Sequence, residues 1–514
     1  MYRILMDTPF GFVIELDGES PYQRQKPYAV FIDGKILTRG NRNVFRTFGL
    51  LPNTEYNIDI TGLDSPLSFV HRTQRAGYVI NVRDFGASGD GKNNDTLAVN
   101  SAIYTAPAGS VVRFPRGVYL AGSVMLKSGV DIFLEEGAEL RQSPDRRDLA
   151  VIKGYQKSYD HEEAVANASW EGNPLDSYAS LIYGRDVKNV RIYGSGTING
   201  SGRESGFWNE PKVKKTAWRP RNIFLAYCKN ITLAGITSRN SAAWNLHPFY
   251  SDKLKFYRLN IESDPNSPNT DGLNPESCGD VEIAGCRFHV GDDCIAIKSG
   301  KFYMSRRHFK PSENIRIRNC LMERGHGGVV IGSEISCGVK DVSVRQCLFR
   351  ETDRGLRIKT RRGRGSASIV EGIRFANVEM EKVSNCFTVN MFYNCDPDGH
   401  SDYVRCKEPL PVGDETPAVK DIFVSNVMAR EISGSAIFLS GLPESPIKGI
   451  TVENSAFSFL PERETACPEM MDDEILIENL GIYMRNTDNV TLENNRFEGP
   501  YVTVIEERSE ERKQ

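Results

Sequence analysis

One short pattern recurs through the C-terminal two thirds of this chain, and few folds can accommodate it. It opens on Asn, Asp or Gly, alternates apolar and polar residues, then usually meets Gly or Asn. The copies are Asn189-Val-Arg-Ile-Tyr-Gly, Asn230-Ile-Thr-Leu-Ala-Gly, Asp280-Val-Glu-Ile-Ala-Gly-Cys, Asn314-Ile-Arg-Ile-Arg-Asn-Cys, Asp341-Val-Ser-Val-Arg-Gln-Cys, Gly372-Ile-Arg-Phe-Ala-Asn-Val, Asp421-Ile-Phe-Val-Ser-Asn-Val, Gly449-Ile-Thr-Val-Glu-Asn-Ser and Asn489-Val-Thr-Leu-Glu-Asn-Asn. Period-two alternation makes each copy a short strand, and the flanking Gly and Asn make turns. The four central copies start 34, 27 and 31 residues apart. A repeat of that length without paired helices is a solenoid, and its strand content selects a right-handed parallel β-helix of roughly ten coils. Cys286, Cys320 and Cys347 hold one repeat position, which predicts an interior stack and not a metal site.

Residues 1–75 have a different texture. Apolar runs at 10–16, 28–32, 36–37, 44–48 and 56–60 are separated by Asp17-Gly18, Asp33-Gly34 and Leu51-Pro52-Asn53. That spacing predicts a small β-sandwich. Gly49 to Tyr56 resembles the tyrosine-corner stretch of fibronectin type III domains. Nothing in the unit marks a binding site, and a spacer role suffices for it. The division is therefore 1–75 for the sandwich and 76–514 for the β-helix, an all-β chain. Asp95-Thr96 before the apolar run from Leu97 predicts one helix start. The glycines at 86, 89 and 91 have neither the spacing nor the βαβ setting of a dinucleotide loop.

Composition removes several classes of function. Sixty-four Lys plus Arg against sixty-seven Asp plus Glu give a net charge of −3 over 514 residues, which argues against a nucleic-acid or polybasic membrane binder. No apolar run has the length of a membrane span, and the first residues lack a signal-peptide core. Eleven cysteines show no disulfide-framework spacing. The expectation is a cytoplasmic protein, or a periplasmic or secreted one if a leader has been removed. Its oligomeric state is open.

A β-helix turns sequence period into spatial adjacency, so polar residues one repeat apart form a column. Asn269-Thr270-Asp271-Gly272 is followed after about one coil by Gly291-Asp292-Asp293, then Gly325-His326-Gly327-Gly328, then Arg357-Ile358-Lys359. The predicted column is an acid, an acid pair, an imidazole and two cations. Three clustered carboxylates repel one another, a cost that persists where it serves chemistry. Alternation puts Arg357 and Lys359 on one strand face. The run from Lys359 to Arg364 is locally cationic, Lys298 follows the acid pair, and Tyr393 offers an aromatic ring for sugar stacking or for packing.

These four motifs together resemble glycoside hydrolase family 28, the polygalacturonase family. The likeness runs from about Val82 to about residue 500 and includes Asn240-Ser-Ala-Ala-Trp244 with His247-Pro248; Phe207-Trp208 stands where relatives carry a fuller tryptophan-rich stretch. The resemblance implies an inverting hydrolase of galacturonan. Asp292 would be the general acid, Asp271 and Asp293 would share the base role, and His326 would position the acid. Arg357 and Lys359 would pair with the sugar carboxylate, and Asn269, Lys298 and Tyr393 would add to substrate binding. Inversion expects acid and base about 6.5–9.5 Å apart. The resemblance implies no cofactor or metal. Insertions at 141–178, 301–312 and 394–416, with Trp170-Glu171-Gly172, resemble bacterial exo-acting members that carry an N-terminal fibronectin-like unit. The alternatives are an endo-acting or substituted-pectin hydrolase of the same family, a pectate lyase, or a non-catalytic β-helix.

Overall fold

The computed structural model describes residues 2–18, 20–157, 164–461, 467–472, 476–502 and 505–507. The N-terminal unit has seven strands: β1 (Tyr2–Thr8), β2 (Gly11–Leu16), β3 (Gln23–Ile32), β4 (Lys35–Arg42), β5 (Val44–Phe48), β6 (Glu55–Thr61) and β7 (Leu67–Arg72). They pair as two antiparallel sheets, in the orders β1-β2-β5 and β4-β3-β6-β7. Phe12, Ile14, Val30, Phe45, Ile58 and Ile60 from both sheets fill the space between them. The Tyr56 hydroxyl accepts a hydrogen bond from the Leu51 N–H at 2.9 Å, the backbone contact that defines a tyrosine corner.

From Val79 onward the chain winds as a parallel β-helix. Each of the nine sequence copies is a strand in one stacked column. The column also contains Asp252–Tyr257 and, before the pattern begins, Val79–Asn81, Val111–Phe114 and Asp131–Leu134, so thirteen strands stack where periodicity gave about ten coils. The alternating apolar residues, such as Ile231 and Leu233 or Ile315 and Ile317, point into one continuous core. Cys286, Cys320 and Cys347 are fully buried there, as their shared position predicts. The predicted helix spans Thr96–Thr105, although the Asp95 carboxylate accepts from the Ser88 and Gly89 amides and does not cap it. Among the described residues no helix is long and apolar enough to cross a membrane.

The repeat signature has a backbone cause. The first residue of each regular copy sits in the left-handed region: Asn189, Asn230, Asp280, Asn314, Asp341, Asp421 and Asn489 have φ between 53° and 57°. Asn and Asp tolerate that conformation better than other side chains, and glycine replaces them at 372 and 449. The coil at 252–257 escapes the pattern because Lys253 and Arg258 occupy its two left-handed positions, with φ of 55° and 54°.

The sandwich docks on the long face of the β-helix. Phe133, Tyr193, Ala234, Tyr257 and Ala284 stand in register on successive strands with side chains outward. An apolar stripe of that length on a solvent face is covered by a partner. Here Met6, Val13 and Val44 cover it, joined by Leu5, Phe10 and Phe48. Gly235 and Gly285 permit the approach, since a Cβ would overlap Phe48 and Arg46 at the first and Val44 at the second. One coil further the same position is Arg318, 3% exposed, whose guanidinium donates to Glu15 of the sandwich at 2.7 Å.

Candidate active site

Short strands on another face of the coils carry the motifs. Asp271 precedes the bridge residue Leu273, Asp292 and Asp293 precede the strand Ile295–Ile297, and His326 precedes Val329–Ile331. Backbone bonds lock the stacking: the Gly272 N–H donates to the Asp293 carbonyl at 3.0 Å, and the His326 N–H donates to that of Asp292 at 3.2 Å. Ala296, Val330 and Arg357 share one register position, so two small side chains leave room for a long cation above them. Gly327 keeps space for its neighbours, because a Cβ there would overlap the Val330 side chain and press on Asp293 Oδ1.

The column folds into one cluster. One oxygen of each of Asp271, Asp292 and Asp293 lies within 4.8 Å of the others. That is tighter than the separation expected for an acid and a base flanking a water. Asp271 and Asp293 are 3% and 2% exposed, while Asp292 is open enough to meet a ligand. Burial pushes the Asp271 carboxyl well up, and the Asp292 charge adds to the shift. Burial would also raise Asp293, but Lys359 and Arg357 outweigh it and hold that carboxyl well below the usual range. The Lys359 ammonium lies 2.8 Å from Asp293 Oδ2 and Arg357 Nη1 lies 3.5 Å from Oδ1. The two carboxylates expected to share a role are therefore split: burial and Asp292 push Asp271 up, while Lys359 and Arg357 pull Asp293 down. The trio could ligate a cation by geometry, but lysine and arginine already supply positive charge to Asp293.

His326 Nδ1 lies 3.5 Å from Asp292 Oδ1, and this approach outweighs burial to raise the imidazole to about 9. Asp292 also caps its own loop, accepting from the Asp293 N–H at 2.9 Å.

Four expected ligand contacts come out differently. Arg357 is committed to Glu469, its Nε and Nη2 both donating at 2.9 Å to a carboxylate that is fully buried and that also accepts from Thr388. Asn269 gives its side-chain oxygen to Arg219 at 2.6 Å. Lys298 is 4% exposed, 2.9 Å from Glu334 and over the Trp244 ring, so it is a buried counter-charge and not a rim cation. Tyr393 is buried beneath Arg357 and Lys359, which cover the face expected to stack on sugar. The cationic run is neutralised too, with Arg361 and Arg364 on Asp396 and Arg362 on Glu444. For Arg357 alternation gives the strand face correctly, and residues 467–472 from elsewhere in the chain cover it.

The sequence reading missed Glu469, Arg219 and Arg221. Trp170 stacks on Trp218 with centroids 4.7 Å apart, and the Arg219 and Arg221 guanidiniums lie 5.1 and 5.0 Å from its ring. Burial pushes the two arginines down to about 10 and about 9. Arg219-Pro-Arg221, one coil before Asn245, was a legible signal; Glu469 sits in a turn-rich insertion and had none. Behind the trio, buried Glu276 bonds Ser169 and His247, and burial followed by the Glu334 charge raises its carboxyl to about 7.

Residues 161–475 match the model of glycosyl hydrolases family 28, and residues 79–173 match one described as rhamnogalacturonase A/epimerase, pectate lyase-like. The chain belongs to family 28. This glycosidase is 32% identical over 382 residues to a Vitis vinifera protein named "Probable polygalacturonase", 72% of either chain. It is 27% identical over 403 residues to the exo-poly-alpha-D-galacturonosidase of Dickeya chrysanthemi, covering 71% of this chain and 64% of that one. The endo-polygalacturonase of Pectobacterium carotovorum is 31% identical over 314 residues, 58% of this chain and 72% of its own. The crystal structure of a hyperthermoactive exopolygalacturonase from Thermotoga maritima superposes with a TM-score of 0.68 at 26% identity, over 83% of this glycosidase and 93% of that chain.

Proposed function

We propose that this family 28 glycosidase hydrolyses α-1,4-galacturonosyl linkages of polygalacturonate and its oligomers from a chain end. The observation that carries the exo reading is an interlocked flank of insertions beside the trio. The Lys301 N–H donates to the Gly172 carbonyl at 3.1 Å, its ammonium pairs with Asp396 at 2.8 Å, and Arg361 and Arg364 bind the same Asp396. Across the later coils, residues 467–472 form a strap: Glu469 on Arg357, the Met470 carbonyl on Asn390, and Asp472 on Asn394 and His400. A cleft walled in this way suits a chain end better than a passing polymer.

In the proposed reaction Asp292 gives its proton to the glycosidic oxygen while Asp293 takes one from the attacking water. The anomeric C–O bond to the leaving sugar breaks as the new one forms. Among the described residues Asp293 Oδ1 accepts no hydrogen bond, although it is buried and Arg357 Nη1 lies 3.5 Å away, so the water must reach it as substrate binds. His326 holds the acid, and burial, which biases Asp271 toward its neutral form, spares the site a further negative charge. Lys359 has ammonium protons beyond the one on Asp293 for a substrate carboxylate. We place the enzyme in the cytoplasm; the eight buried cysteines from Cys228 to Cys386 are unpaired thiols and Cys395 is an exposed one, which suits a reducing compartment. Assaying cell fractions for the protein tests that placement.

The test of activity is a time course on polygalacturonate with products sized and ultraviolet absorbance followed. Saturated monomer or dimer from the outset is the expected result; a ladder of mixed oligomers would replace exo with endo, and absorbing products would mean a lyase. The close carboxylate spacing favours a second reading, a retaining mechanism. Proton NMR of the first-formed anomer decides between inversion, which we expect, and retention.

A further inference from the structure

Between the sandwich and the β-helix lies a groove of about 510 Å³ remote from the aspartate trio, lined by Arg39, Arg42, Arg46, Arg258, Tyr28 and Phe48 among others. That volume is in the range of small-ligand sites. Arg39 and Arg42 come from edge strand β4, Arg46 from β5, and Arg258 from the turn after Asp252–Tyr257. Among the described residues none of the four has an ion-pair partner, although most arginines beside carboxylates elsewhere in the molecule do. Arg46 donates to the Ser195 hydroxyl and stacks on Phe48, and Arg42 lies over the Tyr22 ring. The Arg258 Nε–H is buried with no acceptor. Exposed Glu136 is the single acid in the lining. Burial, then repulsion from Arg42, pushes the Arg258 guanidinium down to about 10.

Leaving buried donors and like charges uncompensated is costly. The guanidiniums of Arg42, Arg46 and Arg258, close enough to repel one another beside aromatic rings, with exposed Arg39 at the rim, are the chemistry that grips planar carboxylates on a ring-shaped carrier. A second cavity continues the groove through the shared residues Phe48, Glu136 and Ser195 toward Phe10, giving it length. We infer that this groove is a second binding site, for a uronate oligosaccharide, that holds polymer on the enzyme away from the cleft. The choice of uronate over other polyanions rests on the proposed substrate.

The experiment uses the full chain carrying Asp292→Asn, which binds with turnover cut at least about 100-fold, titrated with trigalacturonate by calorimetry. Two sites are expected, falling to one in the background of Arg39→Ala/Arg42→Ala. In the active enzyme that pair lowers kcat/KM on polygalacturonate about 3- to 10-fold, a loss of roughly one charge-assisted contact, and leaves the value on trigalacturonate unchanged. A single site in both backgrounds overturns the inference and leaves the proposed function intact. No binding at either site overturns the proposed function instead. Displacement of the groove-bound sugar by equimolar inorganic phosphate would make this a general anion site and overturn the uronate assignment.

Discussion

Two outward-facing columns of the same solenoid meet opposite fates. On the long strands, Phe133, Tyr193, Ala234, Tyr257 and Ala284 are apolar and the sandwich covers them. On the short strands, Glu276, Lys298 and Lys359 alternate with Asn274, Ala296, Val330 and Arg357, and their neighbours are charges. Coil geometry is common to both, so the difference lies in the side chains. An apolar column is stabilised by any apolar cover and tolerates a change of partner. A charged column is stable only as a set, because each buried ion depends on the next. The first column provides attachment, and the second provides reactivity.

The comparison is tested most severely at the acid. Asp292→Asn removes the one carboxyl of the trio that is only half-buried, and kcat should fall about 100- to 10,000-fold, the usual worth of a general acid. Stability should change little, since the His326 pairing and the crowding of Asp271 are lost together; thermal melting alongside the assay checks both halves.

Lys359→Met probes the dependence within the charged column. It leaves Asp293 buried without its closest counter-charge, a loss of about 3–5 kcal/mol by analogy with broken buried pairs. Denaturant unfolding should register it, and the Asp293 carboxyl should move up. A loss under 1 kcal/mol would mean Arg357 alone suffices.

In the apolar column, Tyr257→Ala should cost about 3–5 kcal/mol by the cavity rule for large aromatic side chains. Its hydroxyl bond to Glu282 at 2.6 Å goes with it. Here kcat/KM should be unchanged below the melting transition, where Lys359→Met loses activity as well. Equal loss of activity in both variants would erase the distinction between the columns.

What the sequence made legible follows the same division. The left-handed Asn and Asp positions, the Cys286–Cys320–Cys347 stack and the order of Asp271, Asp292, His326 and Arg357 are all local or one-coil facts, and periodicity reports them. Asp252–Tyr257 was lost because Lys253 and Arg258 take left-handed positions without the usual residue type. The pairing of Arg357 with Glu469, 112 residues away, comes from an insertion whose landing place no period encodes. The sandwich also carried no sign of where it docks, because Phe48 and Val44 read as ordinary strand residues until Gly235 and Gly285 show their space.

The smallest effect concerns the charged column alone. The His326 imidazole is raised from its ordinary 6.5 to about 9 by its approach to Asp292, outweighing burial. A group raised on folding stabilises the native state fully below its unfolded value and loses that contribution as pH passes its folded value. The His326–Asp292 interaction should therefore be complete below about pH 6.5 and fade as pH rises through about 9. The ring is 55% exposed, so solvent and salt screen the pair and the effect on melting is small. Subtracting the melting curve of His326→Gln from that of the parent isolates it: the difference should shrink between pH 6.5 and 9 and shrink further in high salt. The Tyr257→Ala difference should stay flat across the same range, as the Tyr257 hydroxyl is held well above it by burial and by Glu282. A His326 ring titrating at 6.5 by NMR would detach the imidazole from the acid and leave Asp292 to be positioned by its own loop.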